Sequence, residues 1–126
     1  MNLNFPANLL YTKDHEWVKV DGNIATVGIT DYAQSQLGDI VFVDIQTEGD
    51  NLDIDEVFGA LEAVKTVAEA LMPLSGVVTK VNPQLESEPQ LINNDPYGGG
   101  WMIEIEMSNP EELNGLISSE EYMKLL

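Results

Sequence analysis

One lysine stands alone in a long segment without other bases. Lys65 is the only basic residue between Lys19 and Lys80, and short apolar runs at 57–63 and 67–71 flank it. Two such runs separated by a polar residue favour a hairpin with the lysine at its tip. The reversal lacks the Asn-Gly or Asp-Gly pair of a tight turn, so this prediction depends on the apolar runs. An amine held out in this way can be modified covalently, although most exposed lysines are simply solvated.

The neighbours of this lysine do not favour catalysis by the amine itself. A Schiff-base lysine has to lose its proton, which requires burial or a nearby cation. The nearest charged residues in the sequence, Glu62 and Glu69, are acids. The chain also has a single histidine, His15, and no cysteine. These counts exclude disulfides and thiolate or multi-histidine metal sites, and they leave no basis for a histidine triad. The sequence therefore predicts a protein that is not an enzyme.

A glycine-rich segment at 97–101 has only a superficial likeness to a phosphate-binding loop. It lacks the Gly-Lys-Ser/Thr ending of such loops, and no base lies next to it. Its glycines permit positive φ angles, and we expect Trp101, at its end, to enter the core. Trp17 is likewise expected in the core rather than on a binding face.

Composition and charge exclude several classes of partner. The 126 residues are 44% hydrophobic, as expected for one globular domain with a core of its own. Five lysines against 22 acids give a formal charge of −17. Such a surface repels nucleic acids and anionic membranes. Because the N-terminus lacks a secretory or transit signal and no segment is long and apolar enough to span a bilayer, we expect a cytoplasmic protein.

The acids themselves allow two interpretations. Residues 21–64 hold ten acids and no base, and residues 81–123 hold nine acids and no base. The simpler interpretation is a solvated surface that keeps the protein soluble. The alternative is a docking surface whose field attracts basic partners and speeds their encounter.

Turn residues divide the chain into short elements. Strands are predicted at 9–13, 16–20, 24–29, 40–45, 57–63, 67–71, 76–81 and 101–106. The strand at 40–45 alternates poorly, so we expect it to be largely buried on both sides. Many short strands separated by Gly and Pro favour an all-β sandwich or small barrel with peripheral helices.

Helix signals occur at four places. Thr30 or Asp31 is a cap for a short helix that ends at Gly38, and a helical turn is predicted around Leu85. Near the C-terminus, Asn109 is a predicted N-cap followed by proline. The last signal is a capping box that begins at Ser118.

Five segments together resemble the H proteins of the glycine cleavage system. They are 62–66 (EAVKT), 74–78 (LSGVV), 94–98 (NDPYG), 15–18 (HEWV) and 28–34 (GITDYAQ). The match extends in register from about Tyr11 to Tyr122, which is nearly the whole chain. The resemblance implies a mainly β, flattened barrel-sandwich of the lipoyl and biotinyl carrier type, with a short internal helix and C-terminal helices. It implies one lipoyl-carrier domain over residues 1–126, with N-terminal strands and a C-terminal helical tail.

The resemblance also implies a cofactor and residues that serve it. Lipoate is expected on Lys65 as a covalent swinging arm, and Glu62 matches a residue thought to help lipoate-attaching enzymes find that lysine. Glu16 and Glu69 match positions that help form a cleft for the loaded arm, and Gln36 occupies a position where some members have histidine. For the three glutamates, the alternative is an ordinary solvated carboxylate.

The function implied by the family is that of a shuttle in glycine catabolism. The lipoyl arm takes an aminomethyl group from a pyridoxal-phosphate glycine decarboxylase to a tetrahydrofolate-dependent aminomethyltransferase. Dihydrolipoyl dehydrogenase then reoxidises the arm.

Three alternatives stay open at this point. One is a relay that hands lipoyl groups to 2-oxo acid dehydrogenases, and another is an unmodified acidic interaction module. The third is a biotin carrier, although such domains typically have Met on both sides of the lysine, where this chain has Val64 and Thr66.

Overall fold

The computed structural model describes residues 3–126, in which nine strands form two antiparallel sheets. The strands are β1 (Leu10–Tyr11), β2 (Glu16–Asp21), β3 (Ile24–Ile29), β4 (Ile40–Asp44), β5 (Asn51–Leu52), β6 (Val57–Ala63), β7 (Val67–Leu71), β8 (Gly76–Val81) and β9 (Ile103–Met107). Short helices connect and close them: α1 (Asp31–Leu37), α2 (Gln84–Ser87), α3 (Leu91–Asn94), a 3₁₀ helix (Pro110–Gly115) and α4 (Ser119–Met123).

The two sheets differ in size and are layered like a sandwich. The larger has the strand order β1-β2-β3-β9-β8-β5, and the smaller has the order β4-β6-β7. The mainly β fold expected from the sequence is confirmed. Of the two architectures that the strand pattern favoured, the structure has the sandwich and not a closed barrel, because within residues 3–126 no strand pairing joins one sheet to the other.

Apolar side chains from both sheets form the main core. Val27 and Ile105 of the larger sheet are fully buried, as are Phe58 and Leu61 of the smaller. Each side chain of this size contributes roughly 1.5–3 kcal/mol through burial. The core therefore fixes the small sheet, and with it the β6–β7 hairpin, on the large one.

A second apolar cluster ties the two ends of the chain together. It contains Leu9, Tyr11, Trp17 and Tyr122, so the N-terminal strands pack on α4. The rings of Tyr11 and Tyr122 stack with centroids 4.9 Å apart. Trp17 lies in this cluster as predicted, and its indole N–H donates to the carbonyl of Pro96 at 2.9 Å.

Two predicted helix caps are present. Thr30 caps α1 by accepting a hydrogen bond from the backbone N–H of Ala33, and the helix ends at Gly38, whose φ of 79° suits glycine. At the C-terminus, Ser118 and Glu121 form the predicted capping box of α4.

Several predictions of local structure are wrong. β4 is not buried on both sides, because it is an edge strand with one face on the core, and Val41 and Phe42 are 54% and 46% exposed. β9 begins at Ile103 and not, as the sequence predicted, at Trp101. Trp101 itself is partly buried against the second apolar cluster, and the ammonium of Lys80 lies 5.6 Å from its ring centroid.

The connecting segments also differ from expectation. Asn109 makes no side-chain cap, and the helix after it is 3₁₀. The loop after β8 holds two short helices, α2 and α3, rather than one helical turn. Local sequence signals identified the chain reversals here but not the hydrogen-bond geometry that each adopts.

Among residues 3–126, no helix combines the length and the apolar character needed to cross a membrane. The cytoplasmic location and the single domain over residues 1–126 stay predictions.

Candidate functional site

The predicted lysine hairpin is formed by β6 and β7. These strands pair antiparallel from Val57 opposite Leu71 to Glu62 opposite Val67, and Lys65 lies in the three-residue connection. Ala63 closes the hairpin by donating its N–H to the carbonyl of Thr66 at 2.8 Å. The side chain of Lys65 is exposed, so the amine has an open path into solvent.

The hairpin is anchored at its base and exposed at its tip. β6 is the central strand of its sheet, with β4 on one side and β7 on the other. Leu61 and Ala63 point into the core, and the N–H of Val64 donates to the carbonyl of Asp39 at 3.2 Å. A group attached to Lys65 would thus move about a fixed root.

A cleft of about 290 Å³ lies beside the edge strand β7. Its walls are largely apolar, and the polar residues on them include the three that the resemblance placed there, Glu16, Gln36 and Glu69. Lys65 and Glu62 do not line it. The full lining is Asp14, His15, Glu16, Ile29, Tyr32, Ala33, Gln36, Leu37, Leu61, Ala68, Glu69 and Ala70. A larger groove of about 440 Å³, between β4 and α2, contains none of the predicted site residues.

Glu16 is a buried carboxylate and not the solvated one that the sequence allowed. It is 3% exposed. One carboxylate oxygen accepts a hydrogen bond from the hydroxyl of Thr12 at 3.1 Å, and the other accepts from the N–H of Leu71 at 3.0 Å. Burial raises the pKa of Glu16 to about 7, and these two hydrogen bonds offset only part of that effect. The cleft thus contains a carboxyl group that changes charge near neutral pH.

The other two predicted cleft residues lie at its rim. Glu69 is an exposed residue of β7, opposite Ala60 of β6. Gln36 is exposed on α1. Glu62 is also exposed and lies close to the hairpin tip. It pairs across the sheet with Phe42 of β4 on one side and Val67 of β7 on the other.

Sequence reasoning missed His15 as a cleft residue. Its ring lies 5.0 Å from that of Tyr32, and its Nδ1 lies 2.8 Å from the hydroxyl oxygen of Tyr122. Burial lowers the pKa of His15, although Asp14 opposes this. Its position directly before Glu16 in the chain was a signal that could have placed it beside the same cleft.

The side chains that line the cleft suit a ligand with an aliphatic chain and a cationic end. Side chains such as Ile29, Leu37 and Ala68 offer apolar contact for methylene groups. Glu16 and Glu69 offer charge-assisted hydrogen bonds to an ammonium group. Within residues 3–126 no cluster of His, Asp or Glu has the arrangement needed to hold a metal ion.

Comparisons with known proteins agree with this geometry. Residues 9–126 match the family described as glycine cleavage H-protein. A protein named glycine cleavage system H protein from Bacteroides fragilis is 52% identical over 120 residues, which cover 95% of each chain. One of the same name from Symbiobacterium thermophilum is 53% identical over 119 residues, covering 94% of this chain and 93% of the other.

A solved structure is similar as well. The crystal structure of a glycine cleavage system H protein from Mycobacterium marinum superposes with a TM-score of 0.87 at 33% identity, covering 95% of this chain and 97% of that one.

Proposed function

The chain belongs to the glycine cleavage H-protein family, and from that premise we propose that Lys65 is the residue that carries its lipoyl group. The protein is a lipoyl carrier of the glycine cleavage system. When bound, lipoate supplies a disulfide that can accept an aminomethyl group and later return as a dithiol. The residues of the chain supply position, shelter and recognition.

The placement of Lys65 is the observation that carries the proposal. The lysine is exposed at the tip of a hairpin whose base is packed into the core. A lysine side chain extended by lipoate has a reach of about 14 Å. An arm of this length on a fixed root can enter a partner's active site and can also fold back toward the cleft beside β7.

Glu62 is proposed as part of the surface that lipoate-attaching enzymes recognise. Glu62 lies three residues before Lys65 and is exposed. Its cross-strand neighbours are Phe42 of β4 and Val67 of β7. A carboxylate at this position offers a lipoate-attaching enzyme a charged contact next to the amine of Lys65. Its apolar neighbours offer contact area around it.

The cleft is proposed as the shelter of the loaded arm. Its apolar wall would cover the methylene chain and exclude water from the cargo. Glu16 and Glu69 would hold the ammonium of the cargo, and Gln36 would add an amide at the rim. A cation beside Glu16 would also favour its ionised form.

The partners follow from the same proposal. They are glycine decarboxylase with pyridoxal phosphate, the tetrahydrofolate-dependent aminomethyltransferase, dihydrolipoyl dehydrogenase and the enzymes that attach lipoate. We propose that the bond-making steps belong to the lipoyl group and these enzymes, so that the chain is not itself a catalyst. The acidic surface, at a formal charge of −17, would attract partners with basic docking faces.

Intact mass spectrometry tests the attachment. The protein is produced together with a lipoate ligase, and wild type is compared with Lys65→Arg and with Lys19→Arg, which changes an exposed lysine on β2. We expect a lipoyl-sized adduct on wild type and on Lys19→Arg, and none on Lys65→Arg. An adduct that persists in Lys65→Arg would refute the proposal.

A further inference from the structure

A histidine that the proposed function leaves unused lies on the cleft wall. His15 adjoins Glu16 and has a φ of 68°, a backbone conformation that is uncommon outside glycine. Its Nδ1 is 2.8 Å from the hydroxyl oxygen of Tyr122, a fully buried residue of α4 that lies 107 positions further along the chain. The C-terminal helix therefore holds this side chain in place.

A chain of hydrogen bonds behind His15 sets its tautomer. Thr30 is fully buried, and its hydroxyl oxygen already accepts from the N–H of Ala33 at 3.2 Å, so the hydroxyl proton needs an acceptor. The hydroxyl oxygen of Tyr122, 2.7 Å away, provides it. The hydroxyl of Tyr122 then donates a hydrogen bond to Nδ1 of His15 at 2.8 Å, and the ring carries its own proton on Nε2. Burial lowers the pKa of His15 and so favours the neutral ring, although Asp14 opposes this.

The length of the arm decides which of its atoms can come near this nitrogen. Glu16, the neighbour of His15, is hydrogen-bonded to Leu71 at the far end of β7. The cleft that His15 lines also includes Glu69, and from Lys65 to Glu69 an extended strand covers about 13 Å. The amide of a lipoylated lysine lies only about 7 Å from Cα, whereas the sulfur end extends to about 14 Å. Of the polar atoms of the arm, the sulfurs are therefore the ones with the length to enter the part of the cleft that His15 lines.

Building on the proposed attachment at Lys65, we propose that His15 donates a hydrogen bond from Nε2 to a sulfur atom of the arm in the cleft, in an orientation set by Tyr122. Hydrogen bonding to a thiolate favours that form over the thiol. The charged groups on the cleft wall, Asp14, Glu16 and Glu69, oppose a thiolate by repulsion. The donor on His15 offsets this repulsion, and Tyr122 acts as a positioning residue.

Nuclear magnetic resonance of the ring nitrogens tests the tautomer. His15 is the only histidine in the chain, so labelled histidine gives a single set of signals. We expect the Nε2-protonated form at pH 7.5, a mixture of tautomers in Tyr122→Phe, and a shift of the Nε2 signal when the lipoylated protein is reduced. A ring protonated on Nδ1, or an Nε2 signal unaffected by the arm, would overturn the inference.

Alkylation of the reduced arm gives a second readout. Because the chain has no cysteine, the thiols of the arm are the only ones present. We expect alkylation at pH 7 to be about tenfold slower in His15→Leu, since a charge-assisted hydrogen bond is lost. His15→Gln, which keeps an N–H donor, and Gln84→Leu, on α2 outside the cleft, should behave like wild type. Equal rates in wild type and His15→Leu would overturn the inference.

The mass of the protein separates the two proposals. If no adduct forms on Lys65, the proposed function fails and the inference fails with it. If the adduct is present but the ring signals and alkylation rates do not respond, the inference alone fails.

Discussion

The carboxylate of Glu16 accepts a hydrogen bond from the backbone N–H of Leu71 at 3.0 Å. Glu16 begins β2 in the larger sheet and Leu71 ends β7 in the smaller, so this bond links the two sheets beside the cleft. It also satisfies an N–H group on an edge strand. The side chain of Glu16 thus links the two sheets and also lines the cleft proposed for the arm.

The burial of Glu16 predicts a dependence of stability on pH. Its pKa is about 7 in the folded protein against an ordinary value of 4.5, so the folded state favours the protonated form. The contribution of protonated Glu16 to the free energy of unfolding is complete below about pH 4.5 and is lost as the pH rises through 7. Relative to Glu16→Gln, which does not ionise, wild type should lose about 3 kcal/mol over this interval.

Urea unfolding of wild type and Glu16→Gln at several values between pH 4.5 and 8 measures this difference. Other titrating groups are common to both proteins and cancel in the comparison. A difference in the free energy of unfolding that stays constant across the interval would contradict a raised pKa at Glu16.

Leu61 anchors the hairpin and also lines the cleft. It is 1% exposed on β6, opposite Ala68 of β7. Leu61→Ala should lower the free energy of unfolding by about 2–5 kcal/mol, because the lost contacts leave a cavity. Val64→Ala, at the exposed tip of the same hairpin, should change it by less than about 0.5 kcal/mol. Equal effects of the two substitutions in urea unfolding would mean that the hairpin is not anchored by its base.

Gly28 leaves no room for a side chain. It pairs with Trp17, and a Cβ built on it would lie 2.7 Å from the indole nitrogen, which is held by Pro96. Gly28→Ala should therefore destabilise the protein by about 1–3 kcal/mol through overpacking. Gly115→Ala, where a Cβ meets nothing within 4 Å, is the matched control. Thermal unfolding should separate the two variants, and the same melting temperature for both would count against the packing described.

The charge of the protein predicts how its partners respond to salt. With 22 acids and five lysines, attraction to basic docking faces should speed encounter at low ionic strength. Raising the salt concentration should lower kcat/KM of the glycine decarboxylase half-reaction, mainly through KM, because charges farther apart than the Debye length are screened. A flat response between low and physiological salt would favour the simpler interpretation, in which the acids only solvate the surface.

Much of the fold could be predicted from the sequence because its signals are local. The apolar runs flanking Lys65 were sufficient to place the hairpin, and the residues that cap α1 and α4 are adjacent to the helices they begin. The exposure of β4 was missed, because its poor alternation does not tell an edge strand from a central one. The start of β9 was misplaced by two residues, because the preceding glycines do not determine where the chain joins the sheet.

The chemistry of the cleft depends on contacts between distant parts of the chain. The burial of Glu16 requires β7, which begins 51 residues later, and the position of His15 requires Tyr122 of α4. No periodicity or motif predicts either contact. The resemblance named three of the cleft residues, while the raised pKa of Glu16 and the tautomer of His15 depend on the packing of the two sheets and the C-terminal helix.

Fragment mass spectrometry of the lipoylated protein tests the central claim most directly. The chain has five lysines, so sequencing of the peptides assigns the adduct to one position. The account predicts the whole lipoyl mass on Lys65. An adduct on any of the other four, or a protein that a lipoate ligase leaves unmodified, would contradict it.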